Sequence, residues 1–297
     1  MKRFFLKLAL FFSIVVCIDV GYGTFCDIYR SRVKSGMTNL DYTAARTTRA
    51  DALIFGSSRA RRNYDTRIIA DSLGMTAFDC GYNSMGIEFL YFRLKQVLKR
   101  YSPRVIIYDV TPLFDLMESD SKNVNLRCFK PYFFEEPAYS SVRDIDFAEW
   151  VKCHAATYRL HGAVEDFMAD DMSKEVFYDG YAPLDGIRGV KVQRHAAMTV
   201  DPHKMALLED FIRDCHARNI QLFFVLSPYY QNDMGDQGAT LRPLAEKYGI
   251  PVIDHFNDPA YMNDTTLYWD ASHLNMKGAT QFTRTIASEI KPLLRNV

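Results

Sequence analysis

Hydrophobic positions in this chain fall into short continuous runs that alternate with longer stretches of helical spacing. Ala52-Leu-Ile-Phe55 is one such run, closed by Gly56, as expected of a strand buried on both faces. Helical spacing follows through Ile68, Ile69 and Leu73, with Gly74 as its stop. Met75–Cys80 predicts a second strand ending at Gly81. Residues 87–101 predict an amphipathic helix stopped by Pro103, and Arg104–Asp109 a third strand. From 113 to 200 the rhythm breaks. This aromatic-rich insert, with Phe129, Tyr132, Phe133, Phe134, Tyr139, Trp150 and Tyr158, reads as helical or loop-rich. The rhythm resumes with a helix opened by Asp201-Pro202 and striped by Leu207, Leu208, Phe211 and Ile212. A fourth strand over 220–226, a helix over 239–248, a fifth strand over 251–254 and a closing helix from Met276 to Leu294 follow. Strands alternating with helices predict an α/β fold, a flavodoxin-like three-layer α/β/α arrangement around a five-stranded parallel sheet.

The N-terminus carries a different pattern. Met1-Lys2-Arg3 is basic, and residues 8–18 are continuously apolar or small between Lys7 and Asp19. That run is shorter than the ~20 residues of a membrane span. Phe4, Phe5 and Leu6 extend it, and Lys7 can snorkel to the interface. Residues 1–23 are therefore an uncleaved anchor, entering the membrane through 4–20, or a cleaved signal peptide. Gly21-Tyr22-Gly23 is a weak cleavage site, and the lack of Ala-x-Ala favours the anchor. Cys17 follows Val16, a poor match to a lipoprotein site. Positive charge stays inside, so either reading sends the rest of the chain out of the cytoplasm. Residues 24–50 read as a polar connector, and 51–297 as the α/β domain with its insert.

Composition narrows the functional classes. Of the 297 residues, 48% are hydrophobic and 24% charged, enough for a buried core. Lys+Arg and Asp+Glu balance at 36 each, so nothing suggests nucleic acid as a partner. The six cysteines contain no C-x-x-C pair, which argues against a zinc ribbon or a redox motif, and no disulfide framework is expected. Asp254, His255 and Asp258 lack a third ligand at useful spacing, so neither a metal nor a cofactor is expected.

In a parallel sheet, ligands bind beyond the carboxyl ends of the strands. Those ends here are Gly56-Ser57-Ser58-Arg59, the Gly81–Gly86 loop, Asp109-Val110-Thr111-Pro112 and Ser227-Pro228. Asp270 and His273 lie between the fifth strand and the last helix. A serine is activated by a base within hydrogen-bond reach, and the base is oriented by a carboxylate. Ser58, His273 and Asp270 are the candidates. Each motif also has a plainer reading: Ser caps helices well, and Asp270 can simply cap a turn. Arg59, Arg61 and Arg62 read as a solvated helix face, with binding of an anionic polymer, Arg59 first, as the alternative.

These blocks resemble the SGNH (GDSL-like) hydrolase superfamily over residues 50–112 and 201–295. Ser57 stands in the Asp slot of the first block and Ser58 in the nucleophile slot. Asp270-Ala-Ser-His273 with Leu274-Asn275 matches the last block. The Gly-Ser-Ser variant is similar to membrane-anchored, DltD-like proteins of the cell envelope. The third-block Gly-x-Asn-Asp is missing, and Tyr108-Asp109-Val110-Thr111 stands in its place. The resemblance implies an acyl-serine enzyme, an esterase or O-acyltransferase on an acylated envelope glycan, with a membrane acyltransferase as partner. It places the enzyme on the outer side of a bacterial inner membrane, or secreted after cleavage. The oxyanion candidates are Ser58, Gly81, Asn83, Ser84, Gly86 and Thr111. The missing block motivates the alternative, a non-catalytic polysaccharide-binding or assembly module on the same fold.

Overall fold

The computed structural model describes residues 1–118, 122–189, 199–230 and 235–295, with the side chains of 122–125 left aside. The chain begins with one unbroken helix, α1 (Lys2–Arg30), of 29 residues. It is long and apolar enough to cross a membrane. The helix runs past residue 23 into the stretch read as a connector and ends at Arg30. A short helix, α2 (Gly36–Tyr42), and one π turn over Thr43–Thr47 lead to the sheet.

The strands are β1 (Ala52–Gly56), β2 (Ala77–Asp79), β3 (Val105–Asp109), β4 (Gln221–Leu226) and β5 (Val252–Asp254). They are all parallel in the order β2-β1-β3-β4-β5, the flavodoxin order with its reversal beside β1. The expected second strand is trimmed to three residues. Pairing still continues past its end, because the N–H groups of Cys80 and Tyr82 donate to the carbonyls of Ile54 and Gly56. The helix expected after β1 is two helices, α3 (Ser58–Asn63) and α4 (Thr66–Leu73). Asp65 separates them by capping α4 through the Arg67 N–H at 3.0 Å, a stronger local preference than helix continuation.

Next come α5 (Ile87–Leu98), α6 (Pro112–Asp115), α7 (Lys122–Phe129), α8 (Ala138–Ile145), α9 (Phe147–Lys152), α10 (Ala156–Arg159), α11 (Ala163–Asp171) and α12 (Pro202–Ala217). After β4 and β5 stand α13 (Leu241–Tyr248), α14 (Pro259–Met262) and the closing α15 (Met276–Ile290). Side-chain alternation along the strands builds two cores. Ile54, Ile107, Phe223 and Val225 join the cluster containing Phe282 and Ile286 of α15. Phe55 and Tyr108 instead meet Phe211 of α12 edge-on or tilted.

The chain divides into two compact units, Met1–Tyr42 with Ser121–Lys174, and Thr43–Asp120 with Glu175–Val297. The aromatic insert is thus split between them. Its middle forms a helical unit with α1, where Cys26, Val33, Leu160 and Phe167 share a small core. Its described residues after 174, 175–189 and 199–200, belong to the sheet unit. There the Asp179 carbonyl accepts the Asp79 N–H and the Ala182 N–H donates to Arg61. Residues 119–121 and 190–198 of the insert lie outside the described residues.

Candidate active site

Chain direction at the end of β1 sets the serine. Gly56 has φ 146°, and a Cβ there would sit 2.7 Å from the Asp109 carbonyl oxygen, so the turn demands glycine. Ser57 then caps α3, accepting the Arg59 N–H at 3.4 Å. Its hydroxyl is buried 2.9 Å from that of Thr111. Ser57 faces inward and Ser58, the first helical residue, presents its Oγ toward the His273 loop.

The loop before α15 brings the base. His273 Nε2 lies 2.8 Å from Ser58 Oγ. His273 Nδ1 lies 2.9 and 3.1 Å from the two oxygens of Asp270. The same carboxylate accepts the N–H groups of Ser272 and His273, each at 2.9 Å, and the Ser272 hydroxyl at 3.0 Å. Spacing of three lets the chain fold back so that one Asp holds both the backbone turn and the ring. Burial pushes the Asp270 carboxyl up, but hydrogen bonding and charge from His273, with the Ser272 donors, hold it down at about 2. Asp270 therefore stays ionised at neutral pH, and a ring Nδ1–H facing it leaves Nε2 free to accept the Ser58 proton.

A residue with no motif around it locks the two halves together. Asn63, fully buried at the end of α3, accepts the Leu274 N–H on Oδ1 at 2.9 Å and donates to Ser227 Oγ at 3.2 Å. The serine helix and the histidine loop are thus joined one residue beyond His273. Ser227, at the end of β4, donates its N–H and hydroxyl to Asp109 at 3.1 and 2.9 Å. Arg59 donates in turn to Ser227 Oγ at 3.1 and 2.7 Å and to its carbonyl.

This network corrects the reading of the arginines as a solvated face. Arg59 is only 3% exposed and Arg61 2%, and the Arg59 guanidinium sits beside the stacked rings of Tyr229 and Phe256. An anionic polymer would find no guanidinium of Arg59 at the surface. The two cations answer buried carboxylates at the strand ends. Burial raises Asp109, with Arg59 opposing it, and burial raises Asp79 to about 7, with Arg61 opposing it. Asp115 accepts the Tyr108 hydroxyl at 2.8 Å and the Thr111 N–H at 2.6 Å, and burial raises it to about 7. Sequence showed three basic residues on one helix; the carboxylates facing Arg59 and Arg61 lie on other strands and that facing Arg62 is the distant Glu175, so local patterning could not pair them.

The oxyanion candidates separate by what already occupies their donors. The Gly81 N–H donates to Asp79 at 2.6 Å. The Thr111 N–H is held by Asp115, and its hydroxyl faces Ser57. Gly86 caps α5, where a Cβ would sit 2.1 Å from the Phe114 carbonyl oxygen, so its glycine serves close packing. Ser84 sits at φ 60° in a tight turn closed by the Met85 N–H on the Tyr82 carbonyl at 3.2 Å. Asn83 occupies the same turn. Its Oδ1 is buried with no hydrogen-bond partner among the described residues. Elsewhere, His255 is bracketed by Asp258 at 2.7 Å and Glu289 at 3.1 Å, and Asp254 pairs with Arg242. No group of three or more His, Cys, Asp or Glu able to hold a metal occurs among the described residues.

No family model matches the sequence, and no curated protein matches it. Among solved structures the chain is similar to an acetyl xylan esterase at 16% identity and a TM-score of 0.41, covering 82% of this chain and 100% of that one. A psychrotrophic esterase from Pseudoalteromonas sp. is similar at 9% identity and a TM-score of 0.44, covering 83% and 100%. A protein described as an acylhydrolase, from Bacteroides fragilis, is similar at 10% identity and a TM-score of 0.41, covering 88% and 98%.

Proposed function

We propose that this chain is a membrane-anchored serine enzyme of SGNH type, an extracytoplasmic esterase or O-acyltransferase acting on an acylated cell-envelope glycan. One observation carries the chemistry: a continuous hydrogen-bonded line from Ser58 Oγ through His273 to Asp270, with contacts of 2.8 and 2.9 Å. In the first step Ser58 Oγ bonds to the ester carbonyl carbon while His273 Nε2 takes its proton. Asp270 stabilises the resulting imidazolium. The oxyanion is received by the Ser58 N–H and the side-chain amide of Asn83, since Gly81 and Thr111 spend their N–H groups on Asp79 and Asp115. Collapse breaks the ester C–O bond, His273 returns the proton to the leaving alcohol, and an acyl-Ser58 remains. Water or a sugar hydroxyl, deprotonated by His273, then attacks and releases the acid or the new ester, restoring Ser58. A membrane acyltransferase partner would supply the acyl group in the transfer case.

The anchor is supported by how α1 is used. Asp19 accepts the N–H groups of Ala156 and Thr157, each at 2.8 Å, and the Tyr22 hydroxyl donates to the Leu160 carbonyl at 2.9 Å. Cleavage after Gly23 would remove both residues from the helical unit they help to build. The basic start at Met1-Lys2-Arg3 supports an orientation with the remainder outside the cytoplasm. The short Ser58–His273 contact speaks against the non-catalytic alternative. The deciding experiment is turnover of a small acetyl ester by the full chain. Wild type turns over, and Ser58→Ala and His273→Ala each lose at least ~10³-fold. Equal rates in all three would sink the assignment and favour the binding module.

A further inference from the structure

We infer that the helical unit has a second contact with the membrane: the face of α9 and its neighbours lies on the lipid leaflet from which α1 emerges. This rests on the anchor reading above. The patch is Phe134, Phe147 and Val151, exposed by 63%, 64% and 52%. Phe147 stacks on Trp150 with ring centroids 5.4 Å apart. Positions 147, 150 and 151 fall on one face of α9, and Ala148 beside them is exposed too. Large aromatic side chains in open view are expected where a protein meets a membrane interface.

What identifies the occupant is the depth at which this patch is tied to α1. A helix rises ~1.5 Å per residue and a span takes ~17–25 residues, so one that enters at Phe4 leaves the core from about Val20, next to Asp19 and Gly23. Asp19 caps the start of α10 through Ala156 and Thr157. A Cβ at Gly23 would already lie 2.9 Å from that of Ala156. The start of α10 is therefore fixed at the membrane boundary. Val151 lies one compact turn upstream, with the Cys153, His154 and Ala155 N–H groups donating to Glu149, Val151 and Lys152. Five residues in such turns span at most ~8–10 Å, so Val151 stays within that distance of the boundary, the range of the ~5–10 Å interfacial layer. The acid on α9 would not oppose this placement: Glu149 is paired with Lys130 and Lys152 at 3.3 and 2.9 Å and accepts the Tyr158 hydroxyl at 2.7 Å. Pairing lowers the cost of bringing it close to lipid.

The test uses the full chain in lipid nanodiscs. The sequence has two tryptophans, so Trp269→Phe leaves Trp150 as the reporter. Lipids carrying a spin label high on the acyl chain should quench its emission at least ~2-fold relative to unlabelled lipid, because Trp150 sits at the interface. Aqueous iodide should quench it less in nanodiscs than in detergent. Adding Phe147→Ser and Val151→Ser, both at exposed positions, should weaken the lipid quenching while circular dichroism stays unchanged. Alkaline carbonate washing of membranes separates the two readings. A chain that resists extraction but whose Trp150 ignores labelled lipid overturns the docking alone. A chain released by carbonate overturns the anchor and the docking together.

Discussion

Asn63→Leu tests whether the serine and histidine halves of the site are held together as described. Leucine keeps roughly the volume and removes both polar contacts. Ser227 Oγ keeps Asp109 and Arg59 as partners. The Leu274 N–H, in a residue with no exposed surface, loses its acceptor at 2.9 Å. An unsatisfied buried donor costs ~1–3 kcal/mol. With a urea dependence of ~3 kcal/mol per molar at the upper end for small proteins, ~2 kcal/mol lowers the unfolding midpoint by ~0.7 M. The functional effect should exceed the stability effect, because Leu274 directly follows His273 and its N–H fixes the loop that aims the ring. A displacement of ~1 Å can cost ~10²-fold in rate, so kcat on a small ester should fall by about that factor with KM little changed. Urea titration by circular dichroism and steady-state kinetics on the same preparation read both quantities. An unchanged midpoint with kcat within twofold of wild type would refute the coupling.

Three further outcomes follow from the same geometry. Asp270→Asn should lower kcat ~10³–10⁴-fold by favouring the wrong tautomer. Its carboxyl is depressed from 3.8 to about 2, so its stabilisation is present above pH ~4, is lost as pH falls toward ~2, and amounts to ~2 kcal/mol; urea midpoints of wild type and variant should converge across that window. Asp115 is raised from 3.8 to about 7, so its contribution is present below pH ~4 and is lost as pH rises through ~7. Asp115→Asn should therefore flatten the fall in stability between those values, and an unchanged pH slope would contradict the buried carboxyl account. Asn83→Ala should reduce kcat ~10²–10³-fold with KM nearly constant, as loss of an oxyanion donor does; unchanged kcat would assign that donor elsewhere.

The fold was legible where apolar runs and stops coincide. Ala52–Gly56 and Gln221–Leu226 are strands because continuous apolar runs can be buried on both sheet faces. Ser58, Asp270 and His273 were legible as a set because each lies at a strand end or just before the last helix. Polarity rises after residue 23, yet the helix persists to Arg30, where Cys26 and Tyr29 pack with Leu160 and Phe167, residues far along the chain that local patterning could not supply. Arg59 and Arg61 were misjudged for a similar reason: burial of a cation depends on carboxylates at Asp109 and Asp79, which other strands deliver. Asn63 gave no signal at all, since a lone asparagine at a helix end is ordinarily a cap or a surface residue.

The central claim is that Ser58 is a nucleophile activated by His273. The direct measurement is fluorophosphonate labelling of the full chain, with the modified residue located by peptide mass spectrometry. Wild type should carry one adduct, on Ser58, with its formation abolished in Ser58→Ala and strongly slowed in His273→Ala. Equal labelling of wild type and Ser58→Ala, or an adduct on any other serine, would contradict it.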